Sequence, residues 1–408
     1  MIQKAITLVS AGVAALSLAA SPAFAQTTTI ACGDTTQLPN PVFMGGSSAF
    51  EPILGQLAIR IRDKQSVSII YAPISSCSGV SAVSPPADLP TPQPLTGTAH
   101  YYTVDPTDNT KVVYNSCNLS GNTMAAIGVS DVGFESCQSS ARPADLGEWL
   151  GPEQAMLLIV PEANVTTTAL SAEQAAVIWG CGQLGNFAPF VDESAIQQRS
   201  STSGTQILVA RAIGVPETAF KGRANSSSTA LVNSLLAVPN PQTAIGFVAA
   251  DVYATKRSVI NAVAFRGKGQ KMAYYADSDS IADDLLNVRE GRYMIQGPLH
   301  LFTKLVAGAP TAATATVLAW LTGTAAIDAN DPGYYVRTVA TNGAVPQCAM
   351  RVKLDKDGGY FSPYTPPVTC GCAFQKAKNV RLPAGTCTPC KLDTDCAGGL
   401  RCQTGYCE

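Results

Sequence analysis

The chain has 408 residues and a formal net charge of −2, with 46% hydrophobic and 14% charged side chains. The charged fraction is below the usual level of about 25%, and the lack of a basic excess argues against binding to nucleic acid or to an anionic membrane surface. The length is sufficient for two lobes and a small additional module.

The first 25 residues are predicted to be a cleaved secretory signal peptide. They contain Lys4, a long apolar run and the small residues Ala23 and Ala25 at the cleavage position. Cys32 lies too far beyond Ala25 to be a lipoprotein acceptor, which favours soluble export to the periplasm or the medium. No later apolar run reaches the roughly 20 residues that a membrane span requires.

The 13 cysteines all follow this leader, and in an exported chain we expect them to form disulfides. Five are spread over the first half, and eight fall between Cys348 and Cys407. An odd total leaves at least one thiol unpaired within the chain. The sequence does not give the connectivity.

Residues 42–80 have the pattern of a β-α-β unit. A short strand leads through the turn GGSSAF into a helix with one apolar side, formed by Ile53, Leu54, Leu57 and Ile61. A second strand over 66–71 runs into the Ser/Gly turn 74–80.

Residues 81–116 then read as an inserted hairpin after a proline-rich stretch. Cys77 and Cys117 flank this insertion, and we expect a disulfide between them to close its base.

Further strands and helices alternate along the chain. Strands are predicted over 125–129, 156–161 and 244–248, and helices over 171–179, 280–288 and 312–321. This alternation predicts an α/β fold with a parallel-rich sheet, in which ligands bind at the carboxyl ends of the strands.

Residues 199–205 (RSSTSGT) have the features of an anion receptor. The guanidinium of Arg199 offers a planar set of donors that matches tetrahedral oxyanions. Ser203 is expected to cap the following helix, and the amides of Gly204 and Thr205 to point out of its positive end. We expect this helix to end at Gly214.

Four turns share this chemistry: 46–49, 75–79, Ser130-Asp131 and 199–205. If they converge, a tetrahedral anion could be dehydrated and held by neutral dipoles and one arginine. Asp131 would repel any anion that has no proton to donate to it, so it would favour phosphate over sulfate. The alternative is that Ser130-Asp131 is an ordinary turn.

After residue 346 the sequence becomes a cysteine-rich module with short Gly/Asp/Thr-rich intervals, too small to form a core of its own. Disulfides are the favoured interpretation. Zinc binding is the alternative, and it is weakened by the lack of a nearby histidine.

The order of these motifs resembles the phosphate-binding proteins of ABC importers, which have the type II periplasmic binding-protein fold. The matching segments are GGSSAFEP at 45–52, the Tyr-x-x-Ile segment and loop at 71–80, Gly-x-Ser-Asp at 128–131, Arg-x-x-x-Ser-Gly-Thr at 199–205 and the segment at 243–247. Ser201 stands where the family often has an aspartate that supports the arginine.

The resemblance implies an α/β two-lobe clamp with an extra disulfide-rich C-terminal segment. One lobe would comprise 26–155 and 266–345, the other 156–265, and the cysteine-rich module 346–408. It also implies a ligand set for phosphate or a similar oxyanion: Ser48, Ala49, Ser76, Asp131, Arg199, Ser203, Gly204 and Thr205.

Neither a cofactor nor a metal ion is expected, and the partner would be an ABC importer or an extracellular protein. Two other functions are compatible with the sequence. A serine hydrolase would have only His100 or His300 as its base, and the sequence has no GxSxG elbow. An extracellular interaction protein could keep the clamp with a vestigial anion site and use the insertion and the cysteine-rich module for contact.

Overall fold

The computed structural model describes residues 30–86, 88–381, 383 and 385–408. The signal peptide expected over 1–25 lies outside the described residues. Within the described ranges, no helix combines the length and the apolar character needed to cross a membrane.

The structure describes 17 strands, and 11 of them form one mixed sheet, the largest element of the fold. The strands are β1 (Ile30–Ala31), β2 (Val42–Gly46), β3 (Ile69–Pro73), β4 (Thr98–Val104), β5 (Val112–Asn118), β6 (Ile127–Ser130), β7 (Leu146–Pro161), β8 (Ala169–Ser171), β9 (Gln197–Gln198), β10 (Arg223–Ala224), β11 (Gly246–Ala249), β12 (Ile260–Arg266), β13 (Gln296–Lys304), β14 (Val352–Leu354), β15 (Phe361–Pro363), β16 (Cys402–Gln403) and β17 (Tyr406–Cys407). The order along the large sheet is β1-β5-β4-β3-β2-β6-β13-β7-β12-β8, with β11 also paired to β7.

This sheet is not parallel-rich, so that expectation is wrong. β2 pairs in parallel with β3 and β6, whereas β4, β5, β7 and β13 form antiparallel pairs. The antiparallel share arises because the hairpin β4–β5 extends one edge and β13 returns between β6 and β7. The parallel strands β3, β2 and β6 remain adjacent, so their carboxyl ends meet at one edge.

The helices are α1 (Glu51–Gln65), α2 (Ser76–Ser81), α3 (Phe134–Cys137), α4 (Ala172–Ala176), α5 (Gly204–Ile213), α6 (Ser228–Leu236), α7 (Ala250–Lys256), α8 (Leu286–Arg289), α9 (Ala312–Thr322), α10 (Tyr334–Thr341) and α11 (Gly371–Ala377). In α1 the predicted apolar side, Ile53, Leu54, Leu57 and Ile61, is fully buried. Pro52 favours the start of this helix, and Ser66 ends it in the left-handed region.

The long strand β7 joins two groups of elements, called here the first lobe (β2–β6 and β13 with α1 and α2) and the second lobe (β8–β12 with α4–α6). Its residues 146–155 pair with β13 in the first lobe, and its residues 156–161 pair with β11 and β12 in the second. A strand shared in this way connects the lobes through the backbone and provides a place about which they could rotate.

Glu153 lies on β7 at this connection and is 4% exposed. Burial raises the pKa of its carboxyl to about 8, the hydrogen bond from Gln347 opposes the rise, and the charge of Asp357 adds to it. Because this pKa is higher in the folded than in the unfolded chain, the associated stability is present in acid and is lost as the pH rises towards 8.

We therefore expect Glu153→Gln to unfold with a free energy that falls less between pH 5 and pH 8.5 than that of the wild type. The difference should be on the order of 3 kcal/mol. Urea unfolding at the two pH values measures it, and equal pH dependence in both proteins would contradict the assignment.

The helix expected over 280–288 is wrong, because α8 covers only Leu286–Arg289. Aspartate side chains bind the backbone amides that a helix would need. Asp277 Oδ1 accepts from the amides of Asp284 and Leu285, and Asp279 Oδ1 accepts from those of Ile281 and Ala282. Such local side-chain hydrogen bonds compete with helix formation.

Six disulfides are present: Cys32–Cys117, Cys77–Cys137, Cys348–Cys370, Cys372–Cys387, Cys390–Cys402 and Cys396–Cys407. The expected Cys77–Cys117 pair is therefore wrong. Cys117 lies on β5 beside β1, which brings Cys32 to it, whereas α2 carries Cys77 to α3 and Cys137. Among the described cysteines, which include all 13, only Cys181 is free, and it is exposed.

The C-terminal module is held together by its disulfides and by its terminal residue. The side chain of Glu408 accepts from the amides of Gly371 (2.9 Å) and Cys372 (2.6 Å) at the start of α11. The sulfurs of Cys390, Cys396 and Cys407 lie close enough to share a metal ion, but each belongs to a disulfide and is not available as a thiolate.

Candidate functional site

Three of the four polar turns follow the adjacent parallel strands. A single 3-10 turn, Ser48–Phe50, follows β2, Ser76 begins α2 after β3, and Asp131 follows β6. The fourth turn joins β9 to α5 in the second lobe. The sequence-predicted groups thus lie on opposite sides of the cleft between the lobes.

Ser76, Asp131 and Gly204 are in direct contact across this cleft. The Gly204 amide donates to Ser76 Oγ (3.0 Å), and Ser76 Oγ donates to Asp131 Oδ2 (3.3 Å). A second contact joins the Cys77 amide to the Thr202 carbonyl (3.3 Å). Gly204 is required here because an added Cβ would lie 2.5 Å from Ser76 Oγ and 2.7 Å from Asp131 Cβ.

The Asp131 carboxyl is 2% exposed, and its Oδ1 atom is buried without a hydrogen-bond partner. Burial raises its pKa, while the hydroxyls of Ser47 and Ser76 and the charge of Arg199 lower it. A buried acceptor without a partner is costly, so this atom fits a site that is completed by a donor from a ligand.

Arg199 is 4% exposed and lies on the wall of the second lobe. Its guanidinium donates to the carbonyls of Asn225 (3.3 Å) and Ser226 (3.3 Å) and to Ser228 Oγ (2.8 Å). Within the described part of the chain it forms no ion pair, and burial lowers its pKa. Its positive charge is therefore held in position by neutral groups and is not compensated by a contacting carboxylate.

Ser48 lines a cleft cavity of about 330 Å³ that Ser228 lines from the other lobe. The Ala49 amide, expected to face the anion, donates instead to Ser47 Oγ (3.2 Å).

In the second lobe, Ser203 and Thr205 are buried at the start of α5. Ser203 stands at the N-cap position, but its side chain makes no capping hydrogen bond, so its expected role as a cap is wrong. The amide of Gly204, the first residue of α5, donates to Ser76 of the other lobe.

Several further buried polar residues were not expected from the sequence. Gln154 on β7 donates to the Ala49 carbonyl (3.5 Å), and its Oε1 has no partner. Gln296, at the start of β13, has neither side-chain atom paired. Asp251 in α7 has both carboxylate oxygens buried and unpaired. Asp251 lies two residues after the end of the buried strand β11, and this position was the available signal.

The two histidines contact carboxylates. His100 Nδ1 lies 2.5 Å from Glu51 Oε1, and the pKa of His100 is raised by that hydrogen bond. His300 Nδ1 lies 2.6 Å from Glu148 Oε1. Within the described ranges, neither histidine is hydrogen-bonded to a serine, as the hydrolase alternative would require.

No protein-family model matches the sequence, and no curated protein matches it. Among solved structures, the chain is similar to one described as a phosphate ABC transporter substrate-binding protein, with bound phosphate, from Clostridium perfringens. This match has a TM-score of 0.50 and 16% identity, and it covers 75% of this chain and 99% of that chain.

An ABC-type phosphate transport receptor from Vibrio cholerae matches with a TM-score of 0.47 and 14% identity, over 75% of this chain and all (100%) of that chain. At such low identity a likeness reports on the fold alone. The match to the Clostridium protein confirms the predicted α/β clamp, to which the disulfide-rich C-terminal segment is added.

Proposed function

We propose that the chain is an exported binding protein for a small tetrahedral oxyanion, with phosphate as the favoured ligand. The observation that carries this proposal is the buried guanidinium of Arg199, which no carboxylate contacts within the described residues, together with the nearby buried Asp131, whose Oδ1 is unpaired. A positive group attracts the anion, and a carboxylate selects one that retains a proton.

The proposed ligand set is the one implied by the resemblance: Ser48, Ala49, Ser76, Asp131, Arg199, Ser203, Gly204 and Thr205. Because the amides of Gly204 and Ala49 are bound to Ser76 and Ser47, the ligand would have to exchange with these internal acceptors. Opening of the cleft would release the Ser76–Gly204 contact, and binding would favour a closed form with the anion between the lobes.

We also propose the wider arrangement on which this function depends. Residues 1–25 would direct export, residues 26–155 and 266–345 would form one lobe, and residues 156–265 the other. An ABC importer is the proposed partner of such a binding protein, and the module over 346–408 is an addition to it.

Phosphate titration of the purified mature chain tests the proposal. Phosphate at 1,000 times its dissociation constant should raise the free energy of unfolding by about 4 kcal/mol, whereas sulfate should have little effect at neutral pH. Asp131→Asn should reduce the preference for phosphate over sulfate at least tenfold, because the carboxylate that repels sulfate is gone. Calorimetry and thermal unfolding measure both quantities.

A second candidate is an extracellular interaction protein on the same fold. It is favoured by the internal pairing of the site donors and by apolar side chains exposed in the C-terminal part, such as Tyr360 (85%) and Leu392 (66%). If phosphate changes neither the unfolding temperature nor the heat of mixing, this second function replaces the first.

A further inference from the structure

A cavity of about 340 Å³ lies between β13, α3 and the hairpin β14–β15 of the C-terminal module. Its lining shares no residue with the proposed oxyanion set. Acids outnumber bases among the charged side chains of this lining, which are Glu135, Glu148, Asp355 and Asp357 against Arg211 and Lys356. This balance favours a cation as the occupant of the cavity.

His300 lines the cavity and is 8% exposed. Its Nδ1 lies 2.6 Å from Glu148 Oε1, and Glu148 Oε2 lies 3.4 Å from Arg142 Nε. A carboxylate at Nδ1 keeps a proton on that nitrogen, so Nε2 of the neutral ring carries a lone pair. Nε2 is buried and has no hydrogen-bond partner among the described residues. Histidines that bind metal ions are oriented by a carboxylate in this way.

Asp357 faces His300 from the turn between β14 and β15. Its Oδ2 accepts from the Gly133 amide (2.7 Å) and from Ser136 Oγ (2.6 Å), and its Oδ1 lies 3.8 Å from His300 Nε2. This last distance is too long for a hydrogen bond, which requires about 2.7–3.2 Å. Two metal–ligand bonds of about 2.1 Å span about 3.4 Å at the tetrahedral angle and about 4.2 Å in line, so a metal ion fits between Nε2 and Oδ1.

Gly133 leaves the space beside these two side chains open. A Cβ atom at Gly133 would lie 3.6 Å from His300 Cε1, 3.6 Å from Asp357 Oδ2 and 3.9 Å from Glu135 Oε2, so three side chains surround one small volume. Glu135 is exposed and would have to turn towards an ion, because among the described residues these three do not all lie within metal-sharing distance of one another.

We propose that His300 Nε2 and Asp357 Oδ1 bind a divalent transition-metal ion, with Zn²⁺ as the favoured ion and with Glu135 or water in the remaining positions. Imidazole together with carboxylate suits Zn²⁺, whereas Mg²⁺ and Ca²⁺ prefer oxygen ligands alone. The ion would lie between a lone pair and a negative charge that otherwise face each other away from water.

Such an ion would join β13 to the C-terminal module, because His300 belongs to the strand and Asp357 to the module's hairpin. The two residues are far apart in the sequence, so no metal ion was expected there from local spacing. The site is separate from the proposed oxyanion set, and zinc binding and phosphate binding can each fail without affecting the other.

The test is a calorimetric titration of the mature chain with Zn²⁺ at pH 7.5, in a buffer without phosphate because phosphate precipitates zinc. Cys181 is alkylated first, because its exposed thiol could bind zinc itself. We expect one ion per chain. Loss of a residue that only orients a metal ligand costs roughly 10–100-fold in affinity, so Glu148→Gln should fall in this range and His300→Gln should lose at least 100-fold.

His100→Gln is the matched control, because Nδ1 of this second histidine also contacts a carboxylate, that of Glu51. This variant should bind zinc with wild-type affinity. If His300→Gln binds zinc as tightly as His100→Gln does, or if the wild type binds none, the proposal is overturned, and a proton alone then accounts for the arrangement of His300 between Glu148 and Asp357.

A second measurement does not depend on the folding of His300→Gln. The sequence contains two histidines, so in the zinc complex of His100→Gln any imidazole ligand must be His300. X-ray absorption at the zinc edge should show one imidazole and oxygen ligands at about 2.0–2.1 Å, without sulfur at about 2.3 Å. A coordination shell that lacks imidazole or contains sulfur overturns the proposal.

Discussion

Gly204→Ala is expected to lower phosphate affinity at least 100-fold while leaving the fold intact. The added methyl group would lie 2.5 Å from Ser76 Oγ and 2.7 Å from Asp131 Cβ, so the lobes must separate or both side chains must move. Either change displaces the Gly204 amide and Asp131, two of the proposed ligands. Alanine is favourable inside a helix and this substitution lies at the start of α5, so the loss of stability should not exceed the roughly 1–3 kcal/mol that overpacking costs.

Gly121→Ala is the matched control for this substitution. A Cβ atom at Gly121 would meet nothing within 4 Å, and the residue is exposed. Its phosphate affinity should therefore equal that of the wild type, as measured by calorimetry. If Gly204→Ala binds phosphate as tightly as Gly121→Ala does, the close contact between Ser76 and Gly204 is not part of the binding geometry.

Replacement of both Cys77 and Cys137 by serine is expected to affect stability and binding together. The disulfide spans 60 residues, and on the chain-entropy model its loss lowers the free energy of unfolding by about 4 kcal/mol. The disulfide also joins Cys77, the residue after Ser76, to Cys137 in α3. Helix α3 begins a short distance after Asp131 in the sequence. Phosphate affinity should therefore fall at least tenfold, because the disulfide no longer holds the segments that carry Ser76 and Asp131 in position relative to each other.

The matched control is the double replacement of Cys390 and Cys402 by serine. Their disulfide spans 12 residues within the C-terminal module and is remote from Ser76 in the sequence. The unfolding midpoint of the lobes and the phosphate affinity should stay at their wild-type values, as followed by urea unfolding and calorimetry. Wild-type affinity in the Cys77/Cys137 variant would show that the bridge stabilises the fold without positioning the site.

Features that depend on a single helix or turn could be predicted from the local sequence. The apolar side of α1 was predicted from spacing, and its four residues are fully buried. Helix α5 ends at Gly214, which has a φ of 73°, a conformation that glycine adopts without a steric penalty.

Disulfide partners and strand pairs that are far apart in the sequence could not be predicted in the same way. The partner of Cys77 depends on the packing of α2 against α3, and the partner of Cys117 depends on a two-residue strand, β1. The shared strand β7 was predicted only from residue 156 onward, because its first part contains the half-buried Glu148 and Trp149 and the exposed Leu150 and so has no continuous apolar run. The helix expected over 280–288 failed because Asp277 and Asp279 bind backbone amides.

In the candidate site, too, some features could be predicted from the local sequence and others depend on long-range packing. Asp131 and the 199–205 segment were found from their local chemistry, and Ser76, Asp131 and Gly204 do meet. Asp251 follows the short buried strand β11, and its burial depends on the packing of α7 against the 3-10 turn Ser48–Phe50.

Cys181 gives the native chain one chemically distinct attachment point. With the other 12 cysteines oxidised in pairs, a maleimide dye or spin label would couple to this exposed residue in the second lobe. A spin label or dye at that site, observed together with a second probe on the first lobe, would follow lobe motion in real time. The same residue calls for a blocking reagent during storage, since air oxidation would join two molecules through it.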